Sequence, residues 1–373
     1  MSVILKEIWK HAQVSRVELV ASTGLTSGTI SNLTQELIQL KVIREYQSIS
    51  GLVGRKRVML GFDLRYYRII GLDIGRSSFE IVLTDLAGNK LQATEGNVNG
   101  HTGPEGYWAV IGPYLEAIKN DVIAEGLKIV GLGVGVPGPM DHEKGILINP
   151  PNFKGWAGYP LKEVLERQYG LPAVIEDDAR TSALAESRYG LGKSGADLVF
   201  VTMGIGIGSG VIFNGEIVRG TNSLYGQVGH MTIEPNGMRC ECGNQGCWET
   251  VGSIIGILRR FDCGDMNAFM TAVREGDSDA LRCMEETLRY LETALINICN
   301  MYDPEIIVLG GRLFPYISEY LPVIQERLRG RLFAFAKDRV LLQPATFGES
   351  QSAMGATATV LDALFSRPLE VLG

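Results

Sequence analysis

The chain has 373 residues, 45% of them hydrophobic and 21% charged, with a formal net charge of −7. This length and apolar content suit two or three domains with real cores, and the negative balance excludes bulk nucleic-acid binding by the protein as a whole. The charge is uneven, because residues 1–62 hold 8 Lys/Arg against 4 Asp/Glu and the remainder holds 27 against 38. A small basic head on an acidic body is what a local DNA contact needs.

Residues 2–12 place Ile4, Leu5, Ile8 and Trp9 on one helical face. Ser15 and Glu18 have the spacing of a capping box, opening a second helix with Leu19 and Val20 inward. Gly24 ends that helix, and a third is predicted from about Thr26, burying Ile30, Leu33, Leu37 and Leu40. Helix, Gly turn, helix is the helix-turn-helix pattern. The third helix would expose Ser27, Thr29, Ser31, Asn32 and Gln35, small polar side chains suited to base edges and phosphates. Val42–Tyr46 and Lys56–Leu60 read as two short strands joined through Gly51 and Gly54. The tip carries Arg55, Lys56 and Arg57, cations of the kind that enter a narrow minor groove. Residues 1–62 therefore read as a winged helix-turn-helix domain with operator DNA as partner. A three-helix protein-interaction module is the alternative.

From Arg68 the pattern changes to buried strands. Ile69–Ser77 is a strand ending in an Asp-Gly turn, and Phe79–Asp85 returns as a hairpin. The turn resembles the first phosphate motif of the actin/hexokinase ATPase fold, matching at Asp73, Gly75 and Ser77. Arg76 stands where that motif has a second Gly, which removes the bare backbone approach to a phosphate. A helix over 104–126, a strand from Val130 into Pro137-Gly138-Pro139, a helix over 161–169 and a strand–helix junction at Ala173–Arg180 follow. An Asp at such a junction serves ordinarily as a helix N-cap. Val199–Ile212 is a Gly-rich hairpin, the segment from about Asp279 to Met301 is a long helix, and Pro304–Arg312 is a strand ending in two glycines. A helix over 315–329 and a terminal helix from Gln351 complete the body. The strand–hairpin–strand unit occurs twice, near 69–150 and 196–350, which predicts a duplicated α/β fold with a cleft between lobes.

One His and three Cys fall within eighteen residues: His230, Cys240, Cys242 and Cys247. Thiolates on tight Gly-rich turns beside an imidazole fit a closed tetrahedral Cys3His site, so structural zinc is expected. Cys263, Cys283 and Cys299 lie in helical, apolar contexts and read as core. Cysteines grouped for a metal, with no apolar leader and no membrane-spanning run, predict a cytoplasmic protein without a membrane partner.

The run Gly226-Gln227-Val228-Gly229-His230, followed by Cys240-Glu241-Cys242-Gly243 and Gly246-Cys247-Trp248-Glu249, resembles the signature of the ROK family of repressors, open reading frames and sugar kinases. The resemblance extends over essentially the whole chain. It implies a winged helix-turn-helix (1–62) joined to a duplicated actin/hexokinase-like, ribonuclease H-like effector domain (63–373) with a zinc loop at 230–247. Asn152, Asp177, Asp178, Gln227, His230 and Glu249 are the implied sugar-binding positions, with Asp178 matching the kinases' general base. Asp73, Gly75, Ser77, Thr202, Gly204, Gly206, Gly310 and Gly311 match nucleotide-binding positions. Asp177 and Arg180 replace two Asn of the kinases, and Gln227 replaces a Glu. Those departures, with Arg76 and a head no kinase needs, favour a sugar-responsive transcriptional regulator, a repressor, over an ATP-dependent sugar kinase. A sugar or sugar phosphate would be its effector, and symmetric half-sites imply a homodimer or dimer of dimers.

Overall fold

The computed structural model describes residues 1–47, 58–98, 103–150 and 153–372. The expected strand-tip cations Arg55, Lys56 and Arg57, and Asn152, lie outside the described residues. The chain divides into two compact units, Met1–Glu176 with Ala356–Gly373, and Asp177–Gly355.

The first unit begins with α1 (Ser2–His11), β1 (Val14–Ser15), α2 (Arg16–Thr23), α3 (Ser27–Gln39), β2 (Ile43–Gln47) and β3 (Val58–Phe62). The capping box is formed: Ser15 Oγ accepts from Glu18 N, and Glu18 accepts from Ser15 N. Gly24 ends α2 at φ 68°, the left-handed conformation that favours glycine. Ile4, Leu5, Ile8, Leu19, Ile30 and Leu37 are buried, whereas Val20, Leu33 and Leu40 are only half-buried. Strand β1 was not foreseen, since two residues show no period. It pairs with β3, giving a three-stranded sheet in the order β1-β3-β2. Aromatic rings tie this segment to the chain terminus. Phe365 stacks on Phe62 at 5.9 Å and meets Trp9 at 5.7 Å. Phe365→Leu is expected to lower stability by about 1–2 kcal/mol, since the site stays apolar but loses some volume and two ring contacts. Urea unfolding checks this, and an unchanged midpoint would show that the rings contribute nothing beyond area.

The remainder of this unit holds β4 (Tyr67–Ile74), β5 (Ser78–Thr84), β6 (Lys90–Asn97), α4 (Gly103–Ala124), β7 (Lys128–Val136), β8 (Met140–Asp141), β9 (Ile146–Leu147), α5 (Leu161–Tyr169) and β10 (Ala173–Asp177). The sheet order is β10-β7-β4-β5-β6, with β4–β5–β6 antiparallel and β4–β7 parallel. Strands β4 and β7 read as near-continuous apolar runs because they lie inside the sheet. Phe153 and Trp156 stack at 4.5 Å beneath Tyr107, closing the core.

The second unit holds α6 (Asp178–Tyr189), β11 (Leu198–Met203), β12 (Ile207–Phe213), β13 (Glu216–Ile217), α7 (Trp248–Gly252), α8 (Ile254–Arg260), α9 (Met266–Glu275), α10 (Ser278–Tyr302), β14 (Ile306–Gly310), α11 (Phe314–Ile317), α12 (Leu321–Arg329) and β15 (Leu341–Pro344). Its sheet runs β13-β12-β11-β14-β15, again an antiparallel meander of three strands followed by two parallel neighbours. Numbered within each five-stranded sheet, both have the order 3-2-1-4-5, which is the duplication expected from the sequence. The single helix expected over 315–329 is two helices with a 3-10 turn between them, because Pro315 and Pro322 each sit in a first turn. Cys283 and Cys299 are buried in α10, but Cys263 is half-buried in the turn between α8 and α9, where Gly264 and Asp265 end the helical run. Helix α13 (Gln351–Ser366) begins in this unit and ends in the first, followed by α14 (Pro368–Leu372). Among the described residues, no helix is long and apolar enough to cross a membrane.

Candidate functional site

The metal-ligand cluster forms as the sequence implied. The ligand atoms of His230, Cys240, Cys242 and Cys247 all lie within 4.8 Å of one another. Cys240 Sγ is 3.7 Å from His230 Nδ1, and Cys242 Sγ is 3.7 Å from Cys247 Sγ. A zinc tetrahedron with Zn–S of about 2.3 Å and Zn–N of about 2.0–2.1 Å has edges of about 3.6–3.8 Å, the length of these two contacts, so the four donors could close round a metal of that size. The Nδ1 contact leaves Nε2 of His230 out of that pairing. Backbone turns hold the donors: Cys240 N donates to Asn244 O at 2.9 Å, and Gly243 N donates to Cys240 O at 3.0 Å. Gly246 has φ 72°, and a Cβ there would collide with Glu234 O. Asn244, which the motif reading passed over, donates to Cys247 Sγ at 3.3 Å and to Thr232 Oγ1 at 2.9 Å. Its position inside the Cys motif was the available signal, since ligands need such support. Burial pushes the Cys247 thiol up to about 12 and raises Cys240 as well. A cation between them is what would make them thiolates.

Immediately after Cys247, α7 carries Glu249. Its Oε2 accepts from Ile207 N at 2.8 Å, at the start of β12. Oε1 has no partner among the described residues. The metal loop is thereby joined to the Gly-rich hairpin, whose turn is Gly204-Ile205-Gly206. On the far side of that turn, Ile254 N donates to Gly204 O at 2.9 Å.

Helix α6 packs against the same hairpin. A Cβ at Gly210 would stand 2.6 Å from Ala179 O, so the glycine sets how closely helix and strand approach. Asp177 is the N-cap of α6, accepting from Ala179 N and Arg180 N at 3.1 and 3.3 Å. One oxygen of that expected sugar ligand is thus committed to the helix. Asp178 is the first residue of α6 and half-buried, its carboxylate at the positive end of the helix dipole. Arg180, 2% exposed, donates to the carbonyls of Ser223 and Tyr225. It ties the N-terminal turn of α6 to the segment that leads into half-buried Gln227 and His230.

The other expected nucleotide positions have packing reasons of their own. Gly75 N donates to Ser78 O at 2.9 Å, and Tyr107 Oη donates to both carbonyls of that turn at 2.9 Å. Asp73 precedes the turn and Ser77 lies within it, both half-buried. Gly311, at φ 87°, lies against the end of β11, where a Cβ would meet Met203 O, and a Cβ at Gly310 would stand 2.7 Å from Phe200. Thr202 is half-buried two residues before Gly204. Ser27, Thr29, Ser31, Asn32 and Gln35 all lie exposed on α3.

Two five-stranded sheets of identical order, the second with a Gly-rich hairpin, define a duplicated α/β protein of the sugar-kinase-like class. The ROK family profile matches residues 69–363, and the chain belongs to the ROK family. It is 27% identical over 363 residues to the xylose repressor of Bacillus subtilis (strain 168), spanning 96% of this chain and 94% of that protein. A glucokinase of Halalkalibacterium halodurans is 28% identical over 311 residues, spanning 78% of this chain and 93% of that enzyme. Among solved structures, a ROK family transcriptional regulator described as a homolog of the E. coli MLC protein superposes with a TM-score of 0.84 at 24% identity, covering 100% of this chain and 98% of its own.

Proposed function

We propose that this protein is a sugar-responsive transcriptional repressor. The observation that carries the reading is where similarity stops. The repressor match leaves only about 4% of this chain uncovered and so takes in most of residues 1–62, whereas the glucokinase match leaves about a fifth uncovered. Residues 1–62 act as a winged helix-turn-helix head, reading operator DNA with Ser27, Thr29, Ser31 and Asn32 of α3 and with Arg55, Lys56 and Arg57. Residues 63–373 form the effector domain, where Asp178, Gln227, His230 Nε2 and Glu249 Oε1 hold hydroxyls of a sugar or sugar phosphate, Asn152 and Asp177 being the other positions the family resemblance implies for sugar. Zinc on His230, Cys240, Cys242 and Cys247 holds that corner rigid. The protein acts in the cytoplasm as a homodimer, since paired half-sites need two heads. The effector changes operator affinity by binding one arrangement better, a coupling of about 1–3 kcal/mol.

The test begins with selection of duplexes from a random pool by the full chain. Enriched duplexes are then titrated with pentoses, hexoses, amino sugars and their phosphates. One sugar is expected to change affinity by about 5–150-fold, and removal of residues 1–62 is expected to abolish duplex binding. Failure to enrich any duplex would sink the reading, as would full affinity without residues 1–62.

A further inference from the structure

The metal loop is open to solvent at its outer end and pinned at its base. Cys242 is exposed, whereas Gly246 and Cys247 are buried where the loop returns to the core. Glu234 stands at that base. Its backbone N donates to Gly246 O at 3.2 Å, and its carbonyl accepts from Gly237 N at 2.7 Å. The Glu234 carboxylate reaches out of the loop, where Oε1 accepts from Tyr290 Oη of α10 at 3.2 Å, a partner 56 residues away. Burial first, then the Glu234 carboxylate, pushes the Tyr290 hydroxyl above its ordinary range, so it stays a donor at neutral pH.

The same long helix also holds α7. Arg260, the last residue of α8, donates through Nη2 to Val251 O at 2.8 Å and to Thr287 Oγ1 of α10 at 2.5 Å. Its Nη1 donates to Glu286 Oε2 at 3.1 Å, and the guanidinium carbon lies 5.7 Å from the centre of the Tyr290 ring. Helix α7 has 5 residues, too few to stand by its own hydrogen bonds. Val251 O belongs to its last turn, where carbonyls want outside donors and a cation is favoured by the helix dipole. We infer that Tyr290 and Arg260 are positioning residues for the metal loop and for α7. Tyr290 latches the loop that carries Cys240 and Cys242, and so sets how slowly the metal leaves. Arg260 seats the short helix that follows Cys247 and carries Glu249. Neither is a metal donor, and they act through Glu234 and Val251. The inference rests on the metal reading of the cluster, not on which sugar or operator the protein takes.

Zinc-loaded full-length protein is mixed with excess pyridylazoresorcinol, a chelator that colours as it takes the metal, and the transfer rate is followed. Tyr290→Phe keeps the ring beside Arg260 and removes only the hydroxyl. It is expected to release zinc at least about tenfold faster, the low end of what support around metal ligands contributes. Glu234→Gln keeps a carbonyl acceptor for Tyr290 and is expected to stay within about twofold of wild type. Glu234→Ala combined with Tyr290→Phe should be no faster than the faster single variant, since both remove one contact. Tyr316→Phe, which deletes a hydroxyl 3.2 Å from Asn267 Oδ1 elsewhere in the unit, is the control. Arg260→Gln is expected to speed deuterium exchange at the Ile207 amide, which Glu249 holds, while the Val308 amide inside the sheet keeps its protection. Release from Tyr290→Phe at the wild-type rate would overturn the latch, as would equally fast release from Tyr316→Phe. Unchanged exchange at Ile207 in Arg260→Gln, or equal loss at Val308, would overturn the seat. A chain that takes up no zinc would end the metal reading by itself. Exchange at the Gly237 and Gly246 amides then decides the latch, faster in Tyr290→Phe upholding it and unchanged exchange overturning it.

Discussion

Metal removal is expected to unfold the loop from His230 to Gly246 and to lower the unfolding temperature of the protein sharply. Four donors converge within 4.8 Å, yet little apolar surface holds the segment between them, where Pro235, Asn236, Met238, Arg239 and Glu241 to Gln245 are all exposed. For such a loop the metal supplies the folding energy, about 10–16 kcal/mol in small zinc modules at neutral pH. Only part of that reaches global stability, because Trp248 and Val251 are anchored in the core of the second unit. A loss of about 5 kcal/mol in a unit of this size lowers Tm by about 10–20 °C. Elemental analysis is expected to return about one zinc per chain. Cys247→Ser is expected to reproduce the loss, and Cys242→Ser to reproduce most of it, since Cys242 is exposed and has no packing role. Hydrogen exchange localises the effect: amides of Cys240, Gly243 and Gly246 should lose protection first. A metal-free protein with unchanged Tm and unchanged exchange in this segment would rule out a structural metal.

The glycines and cysteines that give the cluster away are legible because their chemistry is local. Gly243 and Gly246 at positive φ, and donors two to ten residues apart along the chain, are written directly into sequence spacing. Sheet duplication is legible for a related reason, since buried parallel strands leave long apolar runs. Long-range roles are not written that way. Asp177 was expected to face a sugar, and the N-cap alternative, which needs only the next three residues, accounts for one of its oxygens. Glu249 reaches across 42 residues to Ile207, a partner that no spacing rule names. Helix breaks at Pro315 and Pro322 were legible in principle, but a continuing apolar period concealed them. Strand β1 exists only because β3 offers it an edge.

Arg180 holds a buried position whose role can be measured. It is among the largest fully buried side chains, at 2% exposure, and donates to the carbonyls of Ser223 and Tyr225. Arg180→Asn, the residue that the family resemblance implies for a kinase, is too short to reach either carbonyl. Two acceptors would lose charged donors and a cavity would open, which together destabilise by about 3–5 kcal/mol. Arg180→Lys is expected to recover only part of this, because both carbonyls take their bonds from the one nitrogen Nη2, and a strongly hydrated ammonium on a different stem costs more to bury there than a guanidinium. The functional effect should exceed the structural one. The freed segment leads directly into Gln227 and His230, so effector affinity should fall while operator affinity without effector stays near wild type. Urea midpoints measured beside effector titrations separate these outcomes. Operator and effector affinities falling in equal proportion would make Arg180 a general stabiliser only. An Arg180→Asn protein as stable as wild type would show that the two carbonyls find other donors and that Arg180 holds nothing in place.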